Sequence, residues 1–369
     1  MNYQFPIIRN ISDVLPHIEG YEEIIVAERD GYKVVNYMVS TPRLWEREPG
    51  WEVRRECRGI IFDSVTGDLI SRPFHKFFNA NEKPETQLDQ LDMSREHAIF
   101  DKIDGSMIRP LIIRGELFLA TKMGITEIAL EAQKLLTEKQ IEWLRASVTC
   151  KTTPLFEYVA PTNKIVIHYE EPKLVYLGSR ENLMGAYRFF DGAPFEVVPF
   201  RGHVTRDGIN KFVDNVRLET EGEGYIVRFA DGHMVKVKND WYVRVHKTLD
   251  DVRADKNVLK LALNNELDDV IPMLPAEEVI RVESVVAEFW ALFESKLNYL
   301  VHLVKHAEHE FGMDKKRIAL EMQCPKEDKQ FVFHAAVGRD LRTELLRKAE
   351  GALSTTTNLD QFRDFLRRV

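Results

Sequence analysis

The sequence predicts an α+β domain over residues 1–247, followed by an all-helical domain over residues 248–369. Three observations carry this. Short β-rich runs recur up to about residue 240 and then largely vanish. Those runs do not alternate regularly with helical stretches, which argues against a doubly wound parallel sheet. Past His246, apolar residues recur at three- and four-residue steps instead. A chain of 369 residues is also too long for one small core.

The strand-like runs are, in order, "YKVVNYMV", "RGIIFD", "RPLIIRGELFLATK", "PLFEYVA", "KIVIHY", "KLVYLGSR", "GEGYIVRF" and "HMVKVK". Their β-branched and aromatic residues suit a pleated, half-buried surface. Asp191-Gly192 and Asp231-Gly232 supply turn signals between some of them. From Thr126, "TEIALEAQKLLTEKQIEWLRASV" reads as helical. Beyond the strands, Pro275 opens a long helix, acceptable in a first turn. Val282, Val285, Val286, Phe289, Trp290, Phe293 and Leu297 form its apolar stripe, and Gly312 stops it. "RTELLRKAEGAL" and "LDQFRDFLRRV" read as further helices. The aromatic residues of the stripe are expected in the core. His302, His306 and His309 share a helical face, but no cysteine or fourth ligand accompanies them, so they read as a partly exposed face.

A hydrophobic fraction of 44% and a charged fraction of 30% are those of a soluble globular chain. No run of eighteen apolar residues exists, so no membrane span is expected. The first residues show no basic region leading into an apolar one, so no signal peptide is expected. Cys57, Cys150 and Cys324 are odd in number and widely spaced, which argues for a reducing, cytoplasmic compartment. Cys57 reads as a buried structural thiol. The formal net charge is −8, whereas proteins that coat nucleic acid are more often basic. Residues 251–369 carry 18 Lys and Arg against 21 Asp and Glu, so the helical domain is no basic clamp. Any grip on nucleic acid must come from a local cationic cleft earlier in the chain, and composition alone slightly favours a protein that does not touch nucleic acid.

Two stretches carry chemistry. In "GEGYIVRFADGHMVKVKNDWY", Asp231-Gly232 between apolar-rich runs is a hairpin signal. Alternation along the second strand puts Val235 and Val237 on one face, with Lys236 and Lys238 on the other. By itself this lysine pair fits a solvated face or a phosphate site. The second stretch is "FDKIDGSMIRP", where Lys102 sits in an apolar frame before Asp104 and Gly105. Its bland reading is a strand end and a turn; K-x-D-G recurs by chance in roughly one chain in ten of this length. Its functional reading is a covalent amine nucleophile. A free lysine has a pKa of about 10.4, and burial and neighbouring cations both lower it. Glycine would let backbone approach a nucleotide.

"KIDGS", "FEYVAPTNKIV", "GEGYIV" and "VKVK" occur in the order of motifs of the covalent nucleotidyltransferase superfamily. With "ECRGIIFD", "SRPFHKFFNANE" and "KVKNDWYVRVH", the chain resembles the bacteriophage RNA ligase 1 family of ATP-dependent enzymes associated with tRNA repair. The resemblance covers residues 30–250 strongly and the helical region more weakly. It implies a nucleotidyltransferase domain built on antiparallel sheets. It also implies an ATP-dependent RNA ligase that joins a 5′-phosphate to a 3′-hydroxyl through lysyl-AMP and an adenylylated RNA. ATP and Mg²⁺, or Mn²⁺ in its place, are the implied cofactors. RNA, including broken tRNA, is the implied partner. The setting is cytoplasmic (host cytoplasm for a phage-encoded chain), and no oligomer is implied.

Carried over by motif, Lys102 would attack the α-phosphate, and Asp104 and Gly105 complete its motif. Arg58 and Lys76 would contact phosphates of the nucleotide or the RNA end. Phe78 would line the nucleotide pocket. Lys122 matches the basic residue after the nucleophile motif, though "ATKMGIT" places Met123 between Lys122 and Gly124. Glu157 would hold the ribose or metal-bound water, and Glu223 with Gly224 forms the acidic motif tied to the metal. Lys236 and Lys238 would hold the AMP phosphate and the departing pyrophosphate. Asp268, with Asp269, resembles an acidic position able to reach metal-bound water. Trp241 and Tyr242 flank the lysine hairpin, in a packing or a catalytic role.

Two other readings compete. DNA ligases and GTP-using capping enzymes share the lysine chemistry but usually carry an OB-fold after K-x-K, where this chain turns helical. A silent RNA-end-binding module would not need Lys102.

Overall fold

The computed structural model describes residues 4–188 and 192–369. The chain forms two compact units, Met1–Val243 and Arg244–Val369. The division falls inside the helix Asp240–Val252.

The first unit is built on three sheets. One contains Ile24–Arg29, Tyr32–Tyr37, Arg58–Asp63 and Leu69–Ser71 in that spatial order. The second orders Tyr187–Arg188, Lys173–Glu181, Thr152–Val159, Ser106–Ile113 and Glu116–Ala120, with Glu196–Val197 also beside Lys173–Glu181. The third orders Phe200–Gly202, His97–Asp101, Gly224–Phe229, Met234–Lys238 and Phe78–Asn79. Pairing is antiparallel apart from two short parallel contacts, Val175 with Glu196 and Val235 with Phe78. The α+β expectation with antiparallel sheets is therefore met.

The first sheet is buried on both faces, with Val35, Ile60 and Phe62 in one cluster and Val34 and Ile61 in another. Helices Glu127–Gln133 and Glu138–Thr149 cover the second sheet, with Leu144 and Phe156 fully buried. Helix Ile209–Leu218 covers the third, packing Val213 and Val216 on Val227 and Val237. The stretch from Thr126 is thus two helices rather than one. Thr137 caps the second, its side chain taking the Gln140 N–H while Gln140 reaches back, and this capping box breaks the run.

Two strand expectations change. "RPLIIRGELFLATK" folds back on itself at Arg114 and Gly115, both at positive φ, into paired strands Ser106–Ile113 and Glu116–Ala120. "KIVIHY" is not a strand. Its Val166 and Ile167 N–H groups bind the Asp104 carboxylate instead of a neighbouring strand. The Asp191-Gly192 turn includes Asp191, which lies outside the described residues.

The second unit is helical, with its own core. The 36-residue helix Ala276–Phe311 ends at Gly312, in the left-handed region at φ 57°. Phe289 and Phe293 pack on Phe362, Phe365 and Leu366 from the last helix, Thr356–Arg367. Helices absent from the sequence reading are Asp255–Leu263, Leu267–Val270, Lys315–Glu321 and Lys326–Ala335. His302, His306 and His309 are exposed. Among the described residues, no group of three or more His, Cys, Asp or Glu is placed to hold a metal ion, and no helix is long and apolar enough to cross a membrane.

Candidate active site

Lys102 lies where the chain leaves one sheet and joins another. The strand His97–Asp101 belongs to the third sheet, and the strand beginning at Ser106 belongs to the second. Lys102 N–H donates to the Gly224 carbonyl at 2.8 Å, anchoring the crossing point to the lysine hairpin. Between the two sheets opens a cavity of about 640 Å³. That volume suits a nucleotide-sized ligand.

The hairpin forms as its sequence indicates. Gly224–Phe229 pairs antiparallel with Met234–Lys238, and Gly232 takes φ +90° at the turn. Val235 and Val237 are buried, while Lys236 and Lys238 line the cavity. Arg58, Lys102 and Lys122 join them there. Burial drives the Lys236 ammonium well below the usual lysine range, and Arg58, Lys76, Lys102 and Lys238 push it further down. An anion between these side chains would reverse that cost.

Glu223 is 3% exposed and holds two of the lysines. Its Oε2 is 2.6 Å from Lys102 Nζ and its Oε1 is 2.8 Å from Lys238 Nζ. Gly224, beside it, takes φ +125°, and a Cβ there would stand 2.1 Å from the Val237 carbonyl oxygen. Glu157 lines the opposite wall, paired across from Met107. Burial pushes its carboxyl up to about 7; the charges of Glu223 and Asp104 add to this, while Lys102 and Arg58 oppose it. Glu157 is half-buried, and its cationic neighbours do not outweigh the cost of desolvating its charge. Glu223 is already matched by two ammonium groups. Asp268 is exposed, on the short helix Leu267–Val270 of the second unit.

Three expectations change at this site. Phe78 does not line the cavity. It is 1% exposed in the core beside Trp45, while Phe74 and Phe77 line the cavity. Neighbouring residues in extended backbone face opposite sides, so a one-residue step decides which ring faces in. Lys236 Nζ stands 4.7 Å from the Phe77 ring centroid. Lys76 does not line the cavity either; its Nζ lies 5.3–5.5 Å from the ring centroids of Tyr37, Trp45 and Phe78. Asp104 also faces away from the cavity. Its Oδ2 accepts the Val166 and Ile167 N–H groups at 2.9 and 2.8 Å, and its Oδ1 accepts the Tyr242 hydroxyl at 2.6 Å.

The glycine of the same motif lines the cavity and also makes room for protein. A Cβ on Gly105 would stand 2.3 Å from the Tyr158 carbonyl oxygen. Met123 is accommodated by a tight turn, with Thr121 and Gly124 exchanging backbone bonds at 2.9 and 3.0 Å around Lys122. Gly59 lets the strand carrying Arg58 pack on the Lys122 backbone, where a Cβ would meet the Lys122 oxygen at 2.4 Å.

Sequence reasoning missed Arg109. Fully buried, it donates to Ser71 Oγ at 3.0 Å, to the Thr121 carbonyl at 3.1 Å and to the Gly59 carbonyl, joining the two segments that carry Arg58 and Lys122. Burial lowers it to about 9, yet it keeps three acceptors and stays a cation at neutral pH. Its signal was a lone arginine inside an apolar strand. Arg228, on the hairpin face of Ile226, also lines the cavity. Cys57 is buried, its thiol donating to the Val53 carbonyl, and burial raises its pKa.

The sequence resembles named proteins over most of its length. A family model described as RNA ligase matches residues 56–242. A "Putative RNA ligase" of Thermovibrio ammonificans is 28% identical over 343 residues, 88% of this chain and 89% of that protein. "RNA ligase 1" of Bacteriophage TS2126 is 28% identical over 264 residues, 68% of this chain and 65% of that protein. Among solved structures, an "Archaeal ATP-dependent RNA ligase - form 1" aligns with a TM-score of 0.45 at 13% identity, over 64% of this chain and 63% of that one. The match at residues 56–242 runs from the residue before Cys57 to Tyr242, and so includes every cavity-lining cation described above: the chain belongs to the RNA ligase family.

Proposed function

We propose that this protein is an ATP-dependent RNA ligase that works through a Lys102–AMP intermediate. The observation that carries the reading is the convergence of Lys102, Lys236, Lys238, Arg58 and Lys122 on one cavity of nucleotide size.

In the first step, Lys102 Nζ leaves Glu223 and, as the neutral amine, attacks the α-phosphorus of ATP. A nitrogen–phosphorus bond forms, the α–β anhydride breaks, and pyrophosphate departs. In the second, an oxygen of the RNA 5′-phosphate displaces Lys102 and takes the AMP. In the third, a 3′-hydroxyl attacks that phosphate and AMP leaves. Each step builds charge on phosphoryl oxygens, so positioned cations do most of the work. Lys236 and Lys238 supply them from one rigid strand, and Glu223 is the carboxylate that can trade Lys102 for its neighbour. Mg²⁺ or Mn²⁺, held mainly by Glu157, would add positive charge at the phosphate oxygens and keep several waters. Broken tRNA in a cytoplasm is the natural substrate under this reading.

Incubation with α-labelled ATP should give a covalent AMP adduct that Lys102→Ala abolishes. Labelled GTP should give none, which separates this reading from a capping enzyme. Wild-type protein should circularise a 5′-phosphorylated single-stranded RNA. An adduct persisting in Lys102→Ala would overturn the assignment.

A further inference from the structure

Glu223 has no strand of its own to place it. It ends a bend at 221–223 that precedes the strand Gly224–Phe229. Yet its side chain is 3% exposed and meets two ammonium groups at 2.6 and 2.8 Å. What holds the bend is Asn239, the first residue after the lysine strand Met234–Lys238. Asn239 is fully buried. Its Nδ2 donates to the Glu221 carbonyl at 3.2 Å and to the Gly222 carbonyl at 2.8 Å. Its backbone N–H donates to the Glu223 carbonyl at 3.3 Å. All three carbonyls of the bend therefore end on one residue.

The other end of the same amide faces the next helix. Asn239 Oδ1 accepts the Tyr242 N–H at 2.6 Å, capping the helix Asp240–Val252. The Tyr242 hydroxyl in turn donates to Asp104 in the nucleophile loop, and Lys238 Nζ lies 5.0 Å from the Tyr242 ring centroid. Both ends of the Asn239 amide are thus engaged away from water. A buried amide satisfied in this way holds its neighbours tightly, because breaking any one bond strands a polar group. Glu223 is bonded to Asn239 through its backbone, Lys238 precedes it in the chain, and Asp104 is reached through Tyr242.

We propose that Asn239 is a positioning residue for the transfer of AMP to Lys102. Its donor end clasps the bend at 221–223 so that the Glu223 carboxylate reaches Lys102 and Lys238 together. The proposal rests on the ligase reading and deepens it. Asn239 is not part of the cavity wall, so its effect runs through Glu223 rather than through contact with ATP. When the bend relaxes, Glu223 withdraws from Lys102, and the amine loses the partner that orients it toward the α-phosphorus. The bonds made and broken stay those of the first step, so the loss falls on rate rather than on ATP affinity.

The test is single-turnover AMP-adduct formation with α-labelled ATP across a concentration series, which separates maximal rate, half-saturating ATP and adduct per molecule. Asn239→Asp keeps the size and the capping oxygen but turns an acceptor toward two carbonyls. Asn239→Ala removes cap and clasp together and adds no charge. Both should lose about tenfold in maximal rate, part of the roughly hundredfold loss for misplacement by about 1 Å, with half-saturating ATP unchanged. In both, acetic anhydride should label Lys102 several-fold faster than in wild-type protein, read by mass spectrometry, because its carboxylate partner has moved. A wild-type rate in either variant overturns the proposal: in Asn239→Asp it leaves the cap alone as the cause, and in Asn239→Ala it assigns the loss to the added charge. So does a lower adduct per molecule at unchanged rate, the mark of a variant that merely folds less well. A wild-type protein that forms no AMP adduct would sink the ligase reading, while the labelling of Lys102 would still score Asn239.

Discussion

At the scale of single residues, Asp104 changes most between sequence and structure. A carboxylate two residues from an amine nucleophile is puzzling, because its charge should hold the proton on that amine. The fold aims Asp104 elsewhere, and the carboxylate beside Lys102 Nζ is Glu223, 2.6 Å away. Two backbone N–H groups and the Tyr242 hydroxyl bind its carboxylate, while its charge still reaches Glu157. Asp104 thus ties the nucleophile loop to the 161–167 segment and to the first turn of the helix after the hairpin. Tyr242→Phe keeps the ring but leaves a buried carboxylate oxygen short of a partner. It should cost about 2 kcal/mol in urea unfolding, the range for hydrogen bonds to charged groups. A loss under about 0.5 kcal/mol would show that the bond carries no stability. None of this was legible from "KIDG" alone, since the partners lie 62 to 138 positions away. The choice between Phe77 and Phe78 was equally hidden. It depends on a two-residue strand whose facing is set by its parallel contact with Val235 and Lys236.

At the scale of elements, the lysine hairpin was readable and the nucleophile loop was not. The hairpin announces itself through Asp231-Gly232 and strict alternation, both local properties. "KIVIHY" carries the composition of a strand, but tertiary demand for N–H donors at Asp104 overrides its propensity. The break before Thr137 was readable in principle, through the T-x-x-Q capping pattern. Packing of the nucleophile loop against Thr152–Val159 rests on one missing methyl group. Gly105→Ala would place Cβ 2.3 Å from a backbone oxygen that has no rotamer to yield. The loop must shift, and Lys102 with it. Misplacing a reacting group by about 1 Å costs roughly a hundredfold, so single-turnover AMP-adduct formation should fall by about that factor. Gly351→Ala is the control. Its Cβ meets nothing within 4 Å in a helix, so the rate should hold and stability should rise slightly. Equal rates in the two variants would remove Gly105 from the positioning argument.

At the scale of the whole molecule, each unit carries a buried ion pair of its own. In the first, Glu56 lies between Arg72 at 3.1 Å and Arg180 at 2.7 and 2.8 Å, joining the segments after Leu69–Ser71 and within Lys173–Glu181. In the second, Lys296 and Asp328 pair at 2.8 Å, both nearly inaccessible, and Lys296 also donates to the Arg368 carbonyl. Burial alone would raise Glu56, and it is the largest influence, but Arg180 and Arg72 together hold the carboxyl below its ordinary 4.5. The unfolded chain therefore binds the proton more readily than the folded one. That fixes the sign: the Glu56 contribution is fully present above pH 4.5 and is lost as the pH falls below it. Glu56→Gln should destabilise the first unit by about 3–5 kcal/mol at pH 7, because two buried guanidinium groups lose their counter-charge. The deficit should shrink as the pH drops below 4.5. Separate cores predict separate transitions in calorimetry. Glu56→Gln should lower one, and Asp328→Asn, which strands Lys296, should lower the other. If both substitutions lower a single shared transition by the same amount, the two cores unfold as one and the assignment of each ion pair to its own cooperative unit fails.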